Sequence, residues 1–294
     1  MGERGSVRMD MAQELVERYR AGERDFGHVD LSQTDLGGAN LNGADLSGAN
    51  LSGADLREAN LKRTRLCDAD LSAADLRGAD LREVNLSGAN LRRTKLDAAT
   101  QLNFHWRRIW SICNEGGAWR VLGGVDLSGA YLREVDLEGA DLEGACLVHS
   151  NLEGANLEGT NLERANLRGA NLKGANMVRA NLRRARMIRA SLNGANLEGA
   201  DLVGAKLWEA DLRNANLNGV VLQGANLIEA DLSGADLRAV DLRGPTSGRP
   251  DWVARPCQTA GCTHDRKIGR SRQVACSGDV VDPLNRPISP WIAG

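Results

Sequence analysis

The stretch Ala39-Asn40-Leu41-Asn42-Gly43, Ala44-Asp45-Leu46-Ser47-Gly48, Ala49-Asn50-Leu51-Ser52-Gly53 repeats every five residues. A period of five fits neither the 3.6 of a helix nor the 2 of a strand, so each pentad has to turn the chain once and return the same two positions to the interior. Those positions are Leu, the pentad's centre, and the Ala two residues before it. A small residue beside a large one lets opposing walls close together, which a wide cavity would not require. Asp or Asn stands between them, and Gly is frequent two residues after Leu. Both suit a corner: the Asx side chain bonds nearby backbone, and Gly accepts positive φ.

Outward from this stretch, one run has 14 centres from Leu31 to Leu96 and a second has 24 from Leu127 to Leu242, all Leu except Met177 and Met187. A buried Leu contributes ~2 kcal/mol, but one pentad alone buries nothing, so the pentads have to stack. The composition follows: 294 residues are 42% hydrophobic yet 3% aromatic, with 34 glycines. Formal net charge is -2, from 37 basic and 39 acidic residues, which excludes a bulk polyion. Any electrostatic role is local.

The A-(D/N)-L-x-x pattern over both runs resembles the pentapeptide-repeat family. The resemblance implies an all-β solenoid, a right-handed quadrilateral β-helix with four pentads to a coil. It also implies one functional class, since some members imitate DNA, bind DNA gyrase or topoisomerase, and modulate quinolone sensitivity. Imitation of a duplex that carries one charge per ~1.7 Å needs a strongly acidic rod. The two runs here sum only to -2 and -4.

The remaining segments divide the chain. Residues 1–28 read as a capping helix and lead-in, with Asp10 as N-cap, Met11, Leu15 and Tyr19 on one face, and Gly22 as C-cap. Residues 29–98 form the first block. Residues 99–124 are a helical interruption, because the centre steps from Leu96 to Leu127 out of phase and Trp106, Ile109, Trp110 and Cys113 share one apolar face between Asn103 and Gly116. That face either joins the blocks or anchors a partner. Residues 125–244 form the second block, and 245–294 an irregular tail read as disordered.

Chemistry is sparse. A closed, leucine-filled tube offers no concave pocket, the four histidines (His28, His105, His149, His264) do not pair, and no phosphate-binding loop occurs. The expectation is no enzyme and no cofactor. The six cysteines match no standard zinc spacing, so no metal is expected. The N-terminus lacks a signal peptide's apolar stretch and no run is long enough to cross a bilayer, which points to a soluble, cytoplasmic protein that does not engage membranes.

What remains is the exterior. From Glu134 to Glu163 there are eight acidic residues and no basic one, including Glu138, Glu143, Glu153, Glu158 and Glu163. From Arg164 to Arg189 there are eight basic residues and no acidic one, including Arg179, Arg183, Arg184, Arg186 and Arg189. These bands either pair with each other across coils or serve recognition. Outward positions four pentads apart align Ser128, Val148, Arg168, Ile188, Trp208 and Ile228, an apolar column fit for a contact patch or for a homodimer. The expected function is a non-catalytic scaffold that binds an unidentified protein partner. Gyrase or topoisomerase, reached by DNA mimicry, is the alternative. Nucleic-acid binding by the arginine band ranks below both, because it lacks stacking aromatics.

Overall fold

In the computed structural model, residues 3–240 are described, and the tail at 245–294 with its cysteines lies outside them. The described residues form two compact units: those up to 116 with 129–131, and 117–128 with those from 132.

Both units are built on the same ladder pattern. Parallel bridges link residues before successive centres to those twenty positions on, as in Asp30 with Asn50 and Asn161 with Asn181. Twenty residues are four pentads, so the chain closes one coil every four corners. Around each bridge the N–H of a centre donates forward, Leu51 to the Asp70 carbonyl at 2.7 Å, and Asp70 N–H donates back to Ala49 at 2.9 Å. A pentad inside the ladder thus ties its coil to both neighbours.

Each corner is a four-residue turn. Ala39 N–H donates to the Leu36 carbonyl at 3.0 Å, and Gly38 between them has φ +65°, the positive angle that type II turns place at their third residue. The Asp or Asn before each centre braces the corner by accepting the N–H two residues on, as Asp35 Oδ1 does from Gly37 at 3.0 Å. This is why the pattern favours Asx at that place over other polar residues.

The interior is as the pentad requires. Leu41, Leu46 and Leu51, with Ala44 and Ala49, are fully buried, as are Met177 and Met187. Where Thr or Ser replaces the inward Ala, the hydroxyl donates to a core carbonyl: Thr64 to Leu41 at 2.9 Å and Thr160 to Leu137 at 2.8 Å. Among the described residues no buried side-chain polar atom lacks a partner.

The ladder is longer than the leucines suggest. It opens at Phe26, which fills the inward place at 3% exposure while its N–H donates to Asp45. In the second unit it opens at Gly117, whose N–H donates to Asp136 at 3.1 Å, ahead of Leu122 and Leu127. Gly117 has no side chain to put inside, so the pattern of leucines hides that pentad. The phase break also has a definite place: Asp80 bridges Gln101, one residue beyond the usual spacing. Asp97 holds the extra residue, its carboxylate accepting from Thr100 N–H at 2.8 Å, Ala99 N–H at 3.0 Å and Gly78 N–H at 3.0 Å. These bonds, with Gly78 foremost, lower its pKa below the ordinary carboxylate value.

Two helices complete the first unit. Helix α1 spans Glu3–Arg20, so Asp10 lies inside it and is not its N-cap as the sequence reading had it. The run from Glu3 lacks glycine and proline except at Gly5, and nothing in it stops a helix from extending past Asp10. Leu15 and Tyr19 are buried, and Tyr19 Oη donates to the Asn42 carbonyl on the first coil at 2.8 Å. Helix α2 spans Phe104–Glu115 between Asn103, which accepts Trp106 N–H, and Gly116 with φ +85°. Its buried residues are Trp106, Ile109 and Ile112, which differs from the expected face. Trp110 is half-buried because its indole N–H reaches the Thr94 carbonyl at 3.0 Å. Arg107 donates to Thr100 at 2.7 Å and Asn114 to Leu91 at 2.9 Å, so α2 takes up carbonyls at the end of the first ladder. Among the described residues no helix is long and apolar enough to cross a membrane.

Candidate interaction surface

With the interior filled, side chains reach solvent at three places in each pentad: the Asx position and the two corner residues. The Asx position decides the fate of a corner arginine. In Asp75-Leu76-Arg77 the guanidinium forks onto the carboxylate two residues back, Nε to Oδ1 at 2.9 Å and Nη2 to Oδ2 at 2.6 Å. Asp80-Leu81-Arg82 repeats it at 2.8 and 2.6 Å, and so does Asp211-Leu212-Arg213 at 2.8 and 2.8 Å in the second unit. The fork holds each of these carboxyls below its usual pKa, with the arginine hydrogen bond the largest cause.

Where Asn replaces Asp, the fork cannot form. In Asn166-Leu167-Arg168 and Asn171-Leu172-Lys173 the Asn accepts the corner N–H at 3.4 and 3.2 Å and leaves the cation to solvent. Neither Arg168 nor Lys173 has an ion pair among the described residues, and the same holds for Arg179, Arg184, Arg186 and Lys206. Others in the basic band are neutralised: Arg164 by Glu143 at 3.2 Å, Arg183 by Asp201 at 2.9 Å, Arg189 by Glu209 at 2.5 Å. The bands therefore pair only in part. Of the acidic set, Glu143 and Glu163 face Arg164, the second at 3.7 Å. Glu138, Glu153 and Glu158 each accept an amide from an Asn on the next coil, Asn156 at 3.4 Å, Asn171 at 3.4 Å and Asn176 at 3.2 Å.

The twenty-residue register brings the apolar column into line. His149 N–H donates to Arg168, Gly169 to Ile188, Arg189 to Trp208 and Glu209 to Ile228, each within 3.0 Å. Val148, Ile188 and Ile228 are half-buried and Trp208 is 41% exposed. The Arg189 guanidinium lies over the Trp208 ring, 6.0 Å from its centre. Trp119 and Val121 at the start of the second ladder, and Phe104 on α2, are more exposed still.

Two features escaped the sequence reading although the signal was there. One is the Asp/Asn alternation just described. The other is Lys206, which the ladder bridges to Arg186, itself bridged to Asn166 on its other side, as reading every twentieth residue reveals. Among the described residues no group of His, Cys, Asp and Glu is placed to hold a metal ion. Burial pushes the Cys113 thiol up to about 12, and it points at the Tyr131 carbonyl.

The profile of the Pentapeptide repeats family matches residues 25–63, 59–97, 121–147, 145–184, 179–209 and 209–244. Solved structures with similarity include HetL, a pentapeptide repeat protein involved in heterocyst differentiation regulation from the cyanobacterium Nostoc sp. strain PCC 7120. It is 35% identical over 78% of this chain and 93% of its own, with a TM-score of 0.25. A pentapeptide repeat protein of the Arabidopsis thaliana thylakoid lumen is 27% identical over 39% of this chain and 69% of its own, with a TM-score of 0.25. QnrB1, a plasmid-mediated fluoroquinolone resistance protein, is 16% identical over 79% of this chain and 93% of its own, with a TM-score of 0.21. No curated protein matches the chain.

Proposed function

The chain belongs to the pentapeptide-repeat family, and on that premise we propose that it is a non-catalytic scaffold binding a protein partner through the outer faces of its second unit. The observation that carries this reading is the set of exposed cations without an ion pair, Arg168, Arg184, Arg186 and Lys206, in contrast to Arg77, Arg82 and Arg213, each of which is neutralised by the carboxylate two residues back. An unpaired surface charge contributes nothing to the fold, whereas charge complementarity sets both encounter rate and partner choice. Arg179, Arg183 and Arg189 with the Val148, Ile188, Trp208, Ile228 column extend that surface. Helices α1 and α2 serve as covers for the open ends of the first ladder, where unpaired strand edges would otherwise recruit other chains.

The acidic side chains Glu138, Glu143, Glu153, Glu158 and Glu163 carry the second reading, local imitation of DNA toward gyrase or topoisomerase. Arg164 beside Glu143 and Glu163, and Arg133 3.6 Å from Glu153, offset part of the charge they present, so the scaffold reading is preferred. A pull-down from the source cell tests it: a partner retained by the wild type and lost on Arg184→Glu with Arg186→Glu supports the proposal, and a partner indifferent to both bands contradicts it. A supercoiling assay separates the alternative, because inhibition or protection of gyrase by micromolar protein, abolished by Glu138→Lys with Glu158→Lys, would favour mimicry.

A further inference from the structure

We propose that the face bearing Arg186 and Lys206, together with the Ile188, Trp208, Ile228 corner, receives an acidic protein segment carrying one large apolar anchor. The inference rests on the scaffold reading and names the partner's chemistry.

Arg186 and Lys206 are bridged neighbours on adjacent coils, joined by Met187 N–H to the Lys206 carbonyl at 2.7 Å and Lys206 N–H to Ala185 at 2.9 Å. Both side chains are exposed. Two like charges on strands about 4.8 Å apart oppose folding, and the ladder offers no carboxylate to relieve them. The equivalent site in the first unit shows the alternative: Arg65 bridges Asp45 and forms an ion pair with it. Arg168 is a further exposed cation, one coil from Ile188 in the corner column. A juxtaposition that costs stability, and that a single Asp would relieve, is explained by an anionic ligand that spans both coils.

The second half of the site is apolar. Two residues along the pentad from Arg186 and Lys206 stand Ile188 and Trp208, roughly 7 Å away at strand rise. Arg189 sits over the Trp208 ring and is itself held by Glu209, so the ring is fixed before anything binds and little rotamer entropy is lost on contact. A cationic strip beside a rigid apolar strip matches a segment with carboxylates along one edge and a Leu, Phe or Trp along the other.

The same geometry disfavours a nucleic acid. One ring face of Trp208 is taken by Arg189, leaving no pair of stacking platforms. A duplex presents one charge per ~1.7 Å, more than these few cations on coils about 4.8 Å apart can match.

The test is selection of random 12-residue peptides displayed on phage against the full chain. The expected result is enrichment of Asp and Glu together with one Leu, Phe or Trp. Binding of the synthesised winners should fall about tenfold or more in the Arg186→Glu, Lys206→Glu variant and severalfold in Trp208→Ser, and weaken as salt is raised. The milder Arg186→Ala, Lys206→Ala pair, checked for an unchanged melting curve, guards against a folding artefact and should still lose affinity. No enrichment of acids, equal binding by the charge variants, or displacement of the peptides by a 12-nucleotide single strand or a 12-base-pair duplex overturns the proposal. Winners that bind wild type and variants alike overturn this face while leaving the scaffold reading standing. That reading falls separately, if the pull-down partner ignores both charge bands.

Discussion

Arg82 in the first unit and Arg168 in the second occupy the same corner position of their pentads, and they differ in fate because of one atom group two residues back. Asp80 gives Arg82 a carboxylate to fork onto, whereas Asn166 gives Arg168 only an amide. The recurrence of the fork at Arg213 shows that the Asx residue decides this, not the unit. Fold and surface charge are thus written at the same position: Asp and Asn brace the corner equally well, so the backbone tolerates either, and the choice between them is free to set the exterior.

The comparison first requires that the two interiors be equivalent. Leu71→Ala and Leu172→Ala, both at fully buried centres, should each cost roughly 2–5 kcal/mol in urea denaturation. A clear difference between them would mean that the units do not share one core logic.

Next come the corners. At Gly169 an added Cβ would lie 2.5 Å from His149 Nδ1, while at Gly174 it would meet nothing within 4 Å, and both have positive φ. Gly174→Ala should therefore cost only the backbone strain, about 1–2 kcal/mol, and Gly169→Ala more, unless His149 swings away. Equal losses, read from the same denaturation curves, would show that the ring yields freely.

The smallest effect is electrostatic. The carboxyls of Asp55, Asp75 and Asp80 are held below their ordinary pKa chiefly by their arginine forks. A depressed folded pKa contributes stability that is present above the unfolded value near 4 and is lost as pH falls through the folded one. Carboxyl titration by NMR should place all three below the usual range, and stability should decline as pH drops below about 4. Asn166→Asp should create another such carboxyl, and a normal pKa there would break the comparison.

Much of the fold was legible in the sequence, because a five-residue period leaves one geometry in which Leu and Ala both turn inward. The ends were not. Phe26 and Gly117 occupy ladder positions without a Leu, and α1 runs past Asp10 because a good capping residue does not stop a helix whose preceding residues also favour one. Of the surface, the charge bands and the column were visible as strings of letters. Which charges pair was not, since pairing depends on residues 18 to 21 positions away, as Arg183 with Asp201 and Arg164 with Glu143 show.

Hydroxyl-radical footprinting of the chain bound to the partner recovered by pull-down tests the central claim most directly. The account predicts protection at Ile188, Trp208 and Ile228 and none across residues 25–97. Protection confined to the first ladder, or a second ladder equally reactive with and without the partner, would contradict it.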